Sequence, residues 1–574
     1  MNGLKQFRIV LFLLMVASVG LKTSVSGRLN YTNEKKSGNL YSQVQTVSKE
    51  ISKEGNTIFV KPEVNIPLES GEKVWAGIIV DGFNMPLKEG YKMDFYANNK
   101  GNQTQPLILT DKGQYIWSEE PYAFEVKNNA ILISSNHGEI LKGRAGNSLA
   151  EAQRFASKNF FPASGKIPDK LLFSQPQYNT WIELTYNQNQ EDVLKYARNI
   201  ISNGLPAGVL MIDDTWQEDY GLWDFHPRRF PNPKKMMDEL HQMGFKVMVW
   251  VCPFVSPDQY QICQEIKKGK GFLLRKQNEN STWEKSSEPI MINWWNGCSA
   301  VLDLSNPHAV SWFNTQLDKL VSKYGVDGFK FDAGDFQYYP ANSLSKGNVS
   351  PNEQGRLFAE IGLRYPLNEY RACWKMAGQP LAQRLRDKRH SWSDLQTLVP
   401  NMLVENLMGY TFSCPDLIGG GDFVSFVGDA KIDQDLIVRS AQCHALMTMM
   451  QFSVAPWRIL DKEHMDAVKE TVAIRMKFTP MILKLVDESA KTGEPIMKSM
   501  EFVFPNQGFA EIKDQFVLGN DMIVAPMLEK DKSSRMVTLP KGKWIADDGK
   551  KYAGGKSVMI DVPLNRLPYF IPEK

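Results

Sequence analysis

Histidine and cysteine are scarce in this chain, seven and six among 574 residues. The histidines are scattered without an HExxH or comparable ligand spacing. Cysteines 252, 263, 298, 373, 414 and 443 form no CxxC pair. With neither pattern present there is no candidate metal site, and no cofactor is expected. No strand-like run is followed by GxGxxG, so a doubly wound dinucleotide-binding sheet lacks its fingerprint. An excess of charge is missing as well: 67 Lys+Arg against 64 Asp+Glu leave a net charge of +3. Nucleic acid or an anionic membrane surface would need clustered basic residues, so neither is expected as a partner. Past the first 27 residues no stretch is apolar and long enough to cross a bilayer.

The first 27 residues are expected to be a signal peptide. Lys5 and Arg8 precede the apolar run Ile9 to Leu21, and Ser24-Val25-Ser26 offers small residues at cleavage spacing. An uncleaved anchor would need a longer run, and no cysteine follows that would carry a lipid. A secreted, periplasmic or otherwise exported protein is the expectation. Residues 28–56 are polar and form a lead-in. The cysteines fall in the middle of the chain, mostly in apolar runs where Cys acts as a small buried hydrophobe, although export would permit disulfides.

A chain this long needs two to four domains. Residues 57–165 carry short β-type runs (TIFVKPEVNI, KVWAGIIV, YKMDFYAN, FEVKNNAILISS) cut by turn signals. That pattern predicts a β-sandwich. Over 166–488 apolar strands alternate with amphipathic helices. The strand candidates are 180–186, 207–216, 246–254, 327–334, 370–374, 410–417 and 451–457. The helices include EDVLKYARNIISNG, stopped by Gly204, and HAVSWFNTQLDKLVSKYG, stopped by Gly325. Such alternation predicts a (β/α)₈ barrel. Residues 489–574 return to short strands and predict a small C-terminal β-domain.

Barrel enzymes carry their chemistry at the carboxyl ends of the strands, and three candidate strands end in acid: Val209 to Asp213-Asp214, Gly328 to Asp332, and Phe412 to Asp416. Residues two apart share a strand face. Lys330 and Asp332 are therefore expected to point into the barrel, with Phe329 and Phe331 towards the helices. Buried together, a lysine and an aspartate are either a structural ion pair or a working site. Two carboxylates are the minimum for glycoside cleavage, one ionised and one protonated. The fourteen Trp serve either large cores or stacking on sugar faces.

At these residues the chain resembles glycoside hydrolase family 31. The resemblance is carried by Asp213-Asp214-Thr215-Trp216-Gln217, Trp223-Asp224-Phe225, and Arg229-Phe230-Pro231-Asn232-Pro233. It continues through Met243-Gly244-Phe245-Lys246, Trp294-Trp295-Asn296-Gly297, Leu302 to Pro307, Asp327 to Asp332, and Pro415-Asp416-Leu417-Ile418-Gly419-Gly420. The K-F-D-A-G-D strand departs from the W-x-D-M-N-E form of the α-glucosidases. It is similar to the branch of α-galactosidase-like and myogenesis-regulating-glycosidase-like members.

The resemblance implies a retaining, exo-acting α-glycosidase, with an α-galactoside favoured and an oligosaccharide or glycoside as partner. It implies Asp332 as nucleophile. Asp387 is implied as acid/base, since it stands five residues before Trp392 as the family acid does, although the Gly-Asp-Asn surround is missing. The nearby Arg384, Arg386, Lys388 and Arg389 would hold that carboxyl low, whereas an acid catalyst needs it raised; Asp335, Asp394 and Asp422 are the substitutes. Lys330, Asp213 and Asp214 would receive ring hydroxyls, with Trp216 and Asp416 in the same motifs and Arg371 as a hydroxyl clamp. Trp295 and Trp457 are either pocket wall or core. An α-glucosidase or another α-glycosidase is the alternative. A silent carbohydrate-binding protein is a further one, and a homo-oligomer is open. The sequon Asn102-Gln103-Thr104 would matter in a glycosylating source.

Overall fold

The computed structural model describes the backbone of Gln45–Thr46 and residues 63–135, 138–259, 271–277, 282–286, 288–428 and 430–573. The leader and, apart from Gln45–Thr46, the polar lead-in expected over residues 1–56 lie outside the described residues. Eight parallel strands form the central barrel: β1 (Gln177–Asn179), β2 (Val209–Ile212), β3 (Lys246–Val251), β4 (Gly328–Phe331), β5 (Leu367–Tyr370), β6 (Gln383–Arg384), β7 (Ser413–Cys414) and β8 (Gln451–Phe452). Each pairs with the next in chain order up to β7, and β8 returns to β1. Beyond β7 the Ile418 amide donates to the Gln451 carbonyl (2.8 Å), bridging towards β8. The register sets Trp250, Lys330 and Glu369 side by side across β3, β4 and β5.

The crossover helices start and stop where their caps dictate. The helix Gln190–Ser202 begins at Asn189, whose side chain accepts from the Asp192 amide. The helix Pro307–Tyr324 begins at Asn306 and ends at Gly325 in the left-handed region (φ 84°), where a Cβ would be strained. Along β4 the pleat does what its alternation demands: Phe329 packs edge-on against Tyr365 (4.8 Å), and Phe331 stacks on Tyr370 (4.6 Å). Lys330 is left facing the barrel interior.

Two strand expectations are corrected, and one further strand is added. Residues 180–186 do not form β1; Trp181–Leu184 is a helical turn, opened by the Asn179 side-chain Oδ1 accepting from the Trp181 amide (2.7 Å). The true β1 is polar, with Gln177 bonded to Gln451 inside the barrel, so an apolar run could not reveal it. The expected strand at 370–374 begins where β5 ends. β6 was not anticipated, because it is only two residues, both polar and both buried.

Before the barrel, two antiparallel sheets of five and four strands form the N-terminal β-sandwich. The helix Leu149–Phe160 follows, capped by Ser148, with Phe160 stacked on Trp117 at 5.2 Å. After the barrel, a six-stranded antiparallel sheet and the hairpin Ser534–Leu539/Lys556–Asp561 share a separate core of Val517, Ile523, Val537 and Phe570. Five of the six cysteines are described and all are free thiols; Cys298 is exposed and the other four are buried.

The loop before the sandwich strand Thr104–Thr110 seats this domain on the barrel. Asn102 donates to the Arg371 and Arg384 carbonyls (3.2 Å each), and Gln103 donates to the Gln383 side chain (3.0 Å). Asn102 is 1% exposed, so this sequon is spent on holding β5 and β6 and is closed to a glycan in the folded protein.

β4 and β5 approach so closely that a Cβ at Gly328 would lie 1.9 Å from the Leu367 carbonyl oxygen. Gly328→Ala should therefore force the two strands apart at a cost of about 3 kcal/mol or more. The check is a lower denaturant midpoint with unchanged slope, accompanied by lost activity, because β4 carries Asp332.

Candidate active site

Asp332 follows the last residue of β4, with its amide donating to the Val251 carbonyl (2.9 Å). Its Oδ1 accepts from the Ala333 amide (2.8 Å) and from Arg371 Nε (2.9 Å), and its Oδ2 accepts from the Trp250 indole (3.0 Å). Burial works against the charge, but the Arg371, Lys330 and Arg384 cations and the Trp250 N–H outweigh it. They hold the carboxyl well below the usual carboxylate range. Asp332 is thus an ionised carboxylate in a nearly closed setting.

Beneath it, Lys330 Nζ donates to Asp213 Oδ2 at 2.7 Å, both side chains being buried. Burial would strip the Lys330 proton, yet Asp213 raises its pKa above the ordinary lysine value. Asp214 is oriented by the Gln217 side chain (3.2 Å), the Thr215 amide (2.6 Å) and the Tyr220 hydroxyl (3.1 Å to Oδ2). Asn296, from the hairpin Met291–Trp294/Gly297–Val301, donates to Oδ2 at 2.5 Å. Burial is the largest influence on Asp214 and pushes it up to about 7. After these acidic strand ends the backbone turns through left-handed residues, Thr215 (φ 72°), Ala333 (φ 59°) and Asp416 itself (φ 79°). Non-glycine residues hold such conformations where the surroundings over-determine them, as functional sites do.

Arg384 is the second organising cation. It is 1% exposed; its Nη1 donates to Asp387 Oδ1 (2.8 Å) and Asp416 Oδ1 (2.5 Å), and its Nε lies 3.4 Å from Glu369. Asp387 is exposed at the rim, and among the described residues its Oδ2 has no hydrogen bond. A single cavity of about 600 Å³ is lined by Asp213, Asp214, Trp295, Lys330, Asp332, Arg371 and Asp387. The ionised Asp332 is at its buried end and Asp387 at the solvent side.

Three expected site residues lie outside that lining. Trp216 is fully buried, because the turn at Thr215 sends it behind the strand, where it donates to the Trp250 carbonyl (2.7 Å). Trp457 packs on Tyr196 (5.7 Å) among the barrel helices. Asp416 is sealed under the Asp387 loop, accepting from the Lys388 amide (2.8 Å) and the Gly421 amide (3.2 Å). It positions that loop and does not face the cavity. The substitutes Asp335, Asp394 and Asp422 do line the cavity, but each has other work. Asp335 is bidentate to Arg371, Asp394 accepts from the Arg389 amide, and Asp422 caps the turn Phe423–Phe426.

Sequence reasoning missed Trp250, the role of Arg384, Asn296 as a tether for Asp214, and the aromatic rim of Trp181, Tyr186, Phe423 and Tyr338. Trp250 had a signal, since it alternates with Met248 in a strand that pairs with the Lys330 strand. The rim comes from separate loops and had none.

Comparison with known proteins agrees with the barrel fold. Residues 173–485 match the glycosyl hydrolases family 31 TIM-barrel domain, and residues 493–573 match the C-terminal domain of the same family. The chain is 30% identical to the myogenesis-regulating glycosidase of Mus musculus over 438 residues, which is 74% of this chain and 60% of that protein. It is 23% identical to alpha-glucosidase 2 of Bacillus thermoamyloliquefaciens, covering 84% of this chain and 64% of that one. The chain thus spans less than two thirds of these relatives' length. A Flavobacterium johnsoniae dextranase complexed with glucose superposes with a TM-score of 0.77 at 19% identity, over 89% of this chain and 66% of the dextranase.

Asp214 gives a pH test. An aspartate that titrates near about 4 unfolded and at about 7 folded takes up a proton on folding between those values. Its stabilising contribution is full below the unfolded pKa and is lost as pH rises through about 7. Asp214→Asn abolishes that titration. The melting temperature of the native chain should fall relative to the variant's between about pH 5 and pH 8; parallel melting curves over that range would remove the assignment.

Proposed function

This chain belongs to glycosyl hydrolase family 31, and we propose that it is a retaining, exo-acting α-glycosidase whose preferred glycon is α-galactose. The observation that carries the reading is the pairing, in one cavity, of a buried carboxylate kept ionised by three cations with a second, exposed carboxyl at the mouth.

In the first step Asp332 attacks the anomeric carbon. Oδ2 suits this better than Oδ1, because it accepts one N–H where Oδ1 accepts two. The carbon–oxygen bond to the aglycone breaks as Asp387 gives that oxygen its proton. In the second step a water loses a proton to Asp387 and attacks the same carbon. The ester bond to Asp332 breaks, and the sugar leaves with its α configuration restored. Arg384 holds Asp387 through Oδ1 only, leaving Oδ2 for the proton.

The floor supports an exo mode, because the buried Asp213–Lys330 pair closes the cavity's inner end. Lys330 has three N–H groups and gives one to Asp213, so the others are available to hydroxyls of a seated sugar. Preference for the axial O4 of galactose rests on the Lys330-x-Asp332 strand together with Asp213-Asp214. The glucosidase and dextranase names among the relatives favour an α-glucoside as the second reading.

Turnover of p-nitrophenyl α-galactoside, α-glucoside and α-xyloside separates these. The galactoside should have the highest kcat/KM; a higher value for either other glycoside would reassign the glycon. Asp332→Asn should fold and lose several orders of magnitude in rate, whereas retained turnover would end the nucleophile assignment. Asp387→Ala should hydrolyse aryl glycosides slowly and, with azide, regain rate while releasing the α-glycosyl azide. A β-azide would mean that Asp387 is the nucleophile.

A further inference from the structure

Resting on the two-carboxylate reading above, we propose that Asp335 is a positioning residue: it draws Arg371 away from Asp332, and the N-terminal sandwich holds it in place to do so. Arg371 is bound on three sides. Its Nη1 and Nη2 reach Asp335 Oδ1 and Oδ2 at 3.1 and 2.5 Å, its Nε reaches Asp332 Oδ1 at 2.9 Å, and its Nη1 also donates to the Gly101 carbonyl at 2.8 Å. Asp335 is 2% exposed, and its Oδ1 also accepts from Asn99 of the sandwich loop at 3.3 Å. Two of the partners that fix the guanidinium and its counter-ion therefore come from a different domain than the nucleophile.

The arrangement divides one positive charge between two carboxylates. A bidentate pair is the stronger and more directional contact, so Asp335 takes the larger share and Asp332 receives a single N–H. That division matters because the two chemical steps make opposite demands on Asp332. Attack on the anomeric carbon converts the carboxylate to an ester and is slowed by anything that stabilises the free anion. Hydrolysis of the ester releases the anion and is hastened by the same stabilisation. With Asp335 in place, Arg371 steadies Asp332 enough to leave, without binding it so tightly that it cannot attack. Asp335 is committed to Arg371 on both oxygens, which also argues against its serving as the proton donor.

Asp335→Asn removes the competing charge and leaves Arg371 to Asp332. With the aryl α-glycoside that the native chain turns over best, kcat/KM, which reports attack, should fall about tenfold or more, while kcat falls less or rises. Intact-mass measurement of enzyme quenched during turnover should show less covalent glycosyl-enzyme than in the native chain, at an unchanged inhibition constant for the released sugar. An equal fall in kcat and kcat/KM with undiminished covalent occupancy would overturn the proposal, as would restoration of rate by azide, which would make Asp335 the acid/base. Asn99→Ala loosens the same junction without changing a charge and should shift kcat/KM and occupancy in the same direction by a smaller factor. If Asp335→Asn does not fold, Asn99→Ala carries the test, and no change in either quantity would overturn the proposal. Activity surviving in Asp332→Asn, by contrast, would refute the nucleophile reading itself.

Discussion

The site depends on keeping a crowd of acids out of water without letting them repel the barrel apart. Asp213, Asp214, Asp332, Asp335, Glu369 and Asp416 are all buried, against the buried cations Lys330 and Arg384 and the half-buried Arg371. Removing one partner from a buried ion pair typically costs about 3–5 kcal/mol. Each cation here serves more than one acid. Lys330 is bonded to Asp213 and lies beside Glu369, Arg371 joins Asp332 to Asp335, and Arg384 joins Asp416 to Asp387. Burial, the largest influence on each, raises the pKa of Asp214, Glu369 and Asp416 and so favours their neutral forms. Asp332 alone of these is held strongly in the opposite direction, because three cations converge on it.

What the sequence revealed of this arrangement follows from how each residue is placed. β2 and β4 are apolar runs that end abruptly in acid, and period-two alternation was enough to turn Lys330 inwards and Phe331 outwards. The barrel itself was legible from strand and helix alternation, and the helix stops at Gly204 and Gly325 from glycine's freedom at positive φ. The polar strands were not legible. β1 and β6 fill the barrel with Gln177, Gln383 and Arg384, which bond Gln451, Gln103 and Asp416 from distant parts of the chain, so no local pattern identifies them. Trp216 and Asp416 stand in acid-end motifs and yet face away from the cavity. A left-handed turn, at Thr215 in one case and at Asp416 in the other, redirects the side chain, and neither residue type announces such a turn.

No carboxylate pair stands out in the sequence of the β-sandwich, which suits a supporting domain. Its loop at residues 99–103 nevertheless inserts buried amides against β5 and β6, and satisfies carbonyls of the two residues, Arg371 and Arg384, on which the site's electrostatics depend. Buried backbone groups need partners, and at the carboxyl ends of β5 and β6 those partners come from another domain. The half of the barrel that carries the candidate site is therefore completed by a part of the chain outside it. This gives a physical reason for the sandwich to precede the barrel on one chain: the charge array would be under-bonded without it.

The contrast between the two carboxyls then has a structural cause. As the proposed nucleophile, Asp332 must stay ionised as it loses water, and it sits at a closed end where cations and an indole N–H replace the solvent. An acid/base must exchange its proton once per step, so it needs an oxygen open to water and to the leaving group. Asp387 meets that need because Arg384 anchors one oxygen and the rim leaves the other uncovered. The same guanidinium is shared with Asp416. The basic run Arg384 to Arg389, which in sequence argues against a proton donor at 387, is in three dimensions partly neutralised. Arg384 is spent on Asp416 and Glu369 as well as on Asp387, and Lys388 is buried, with its backbone amide donating to Asp416.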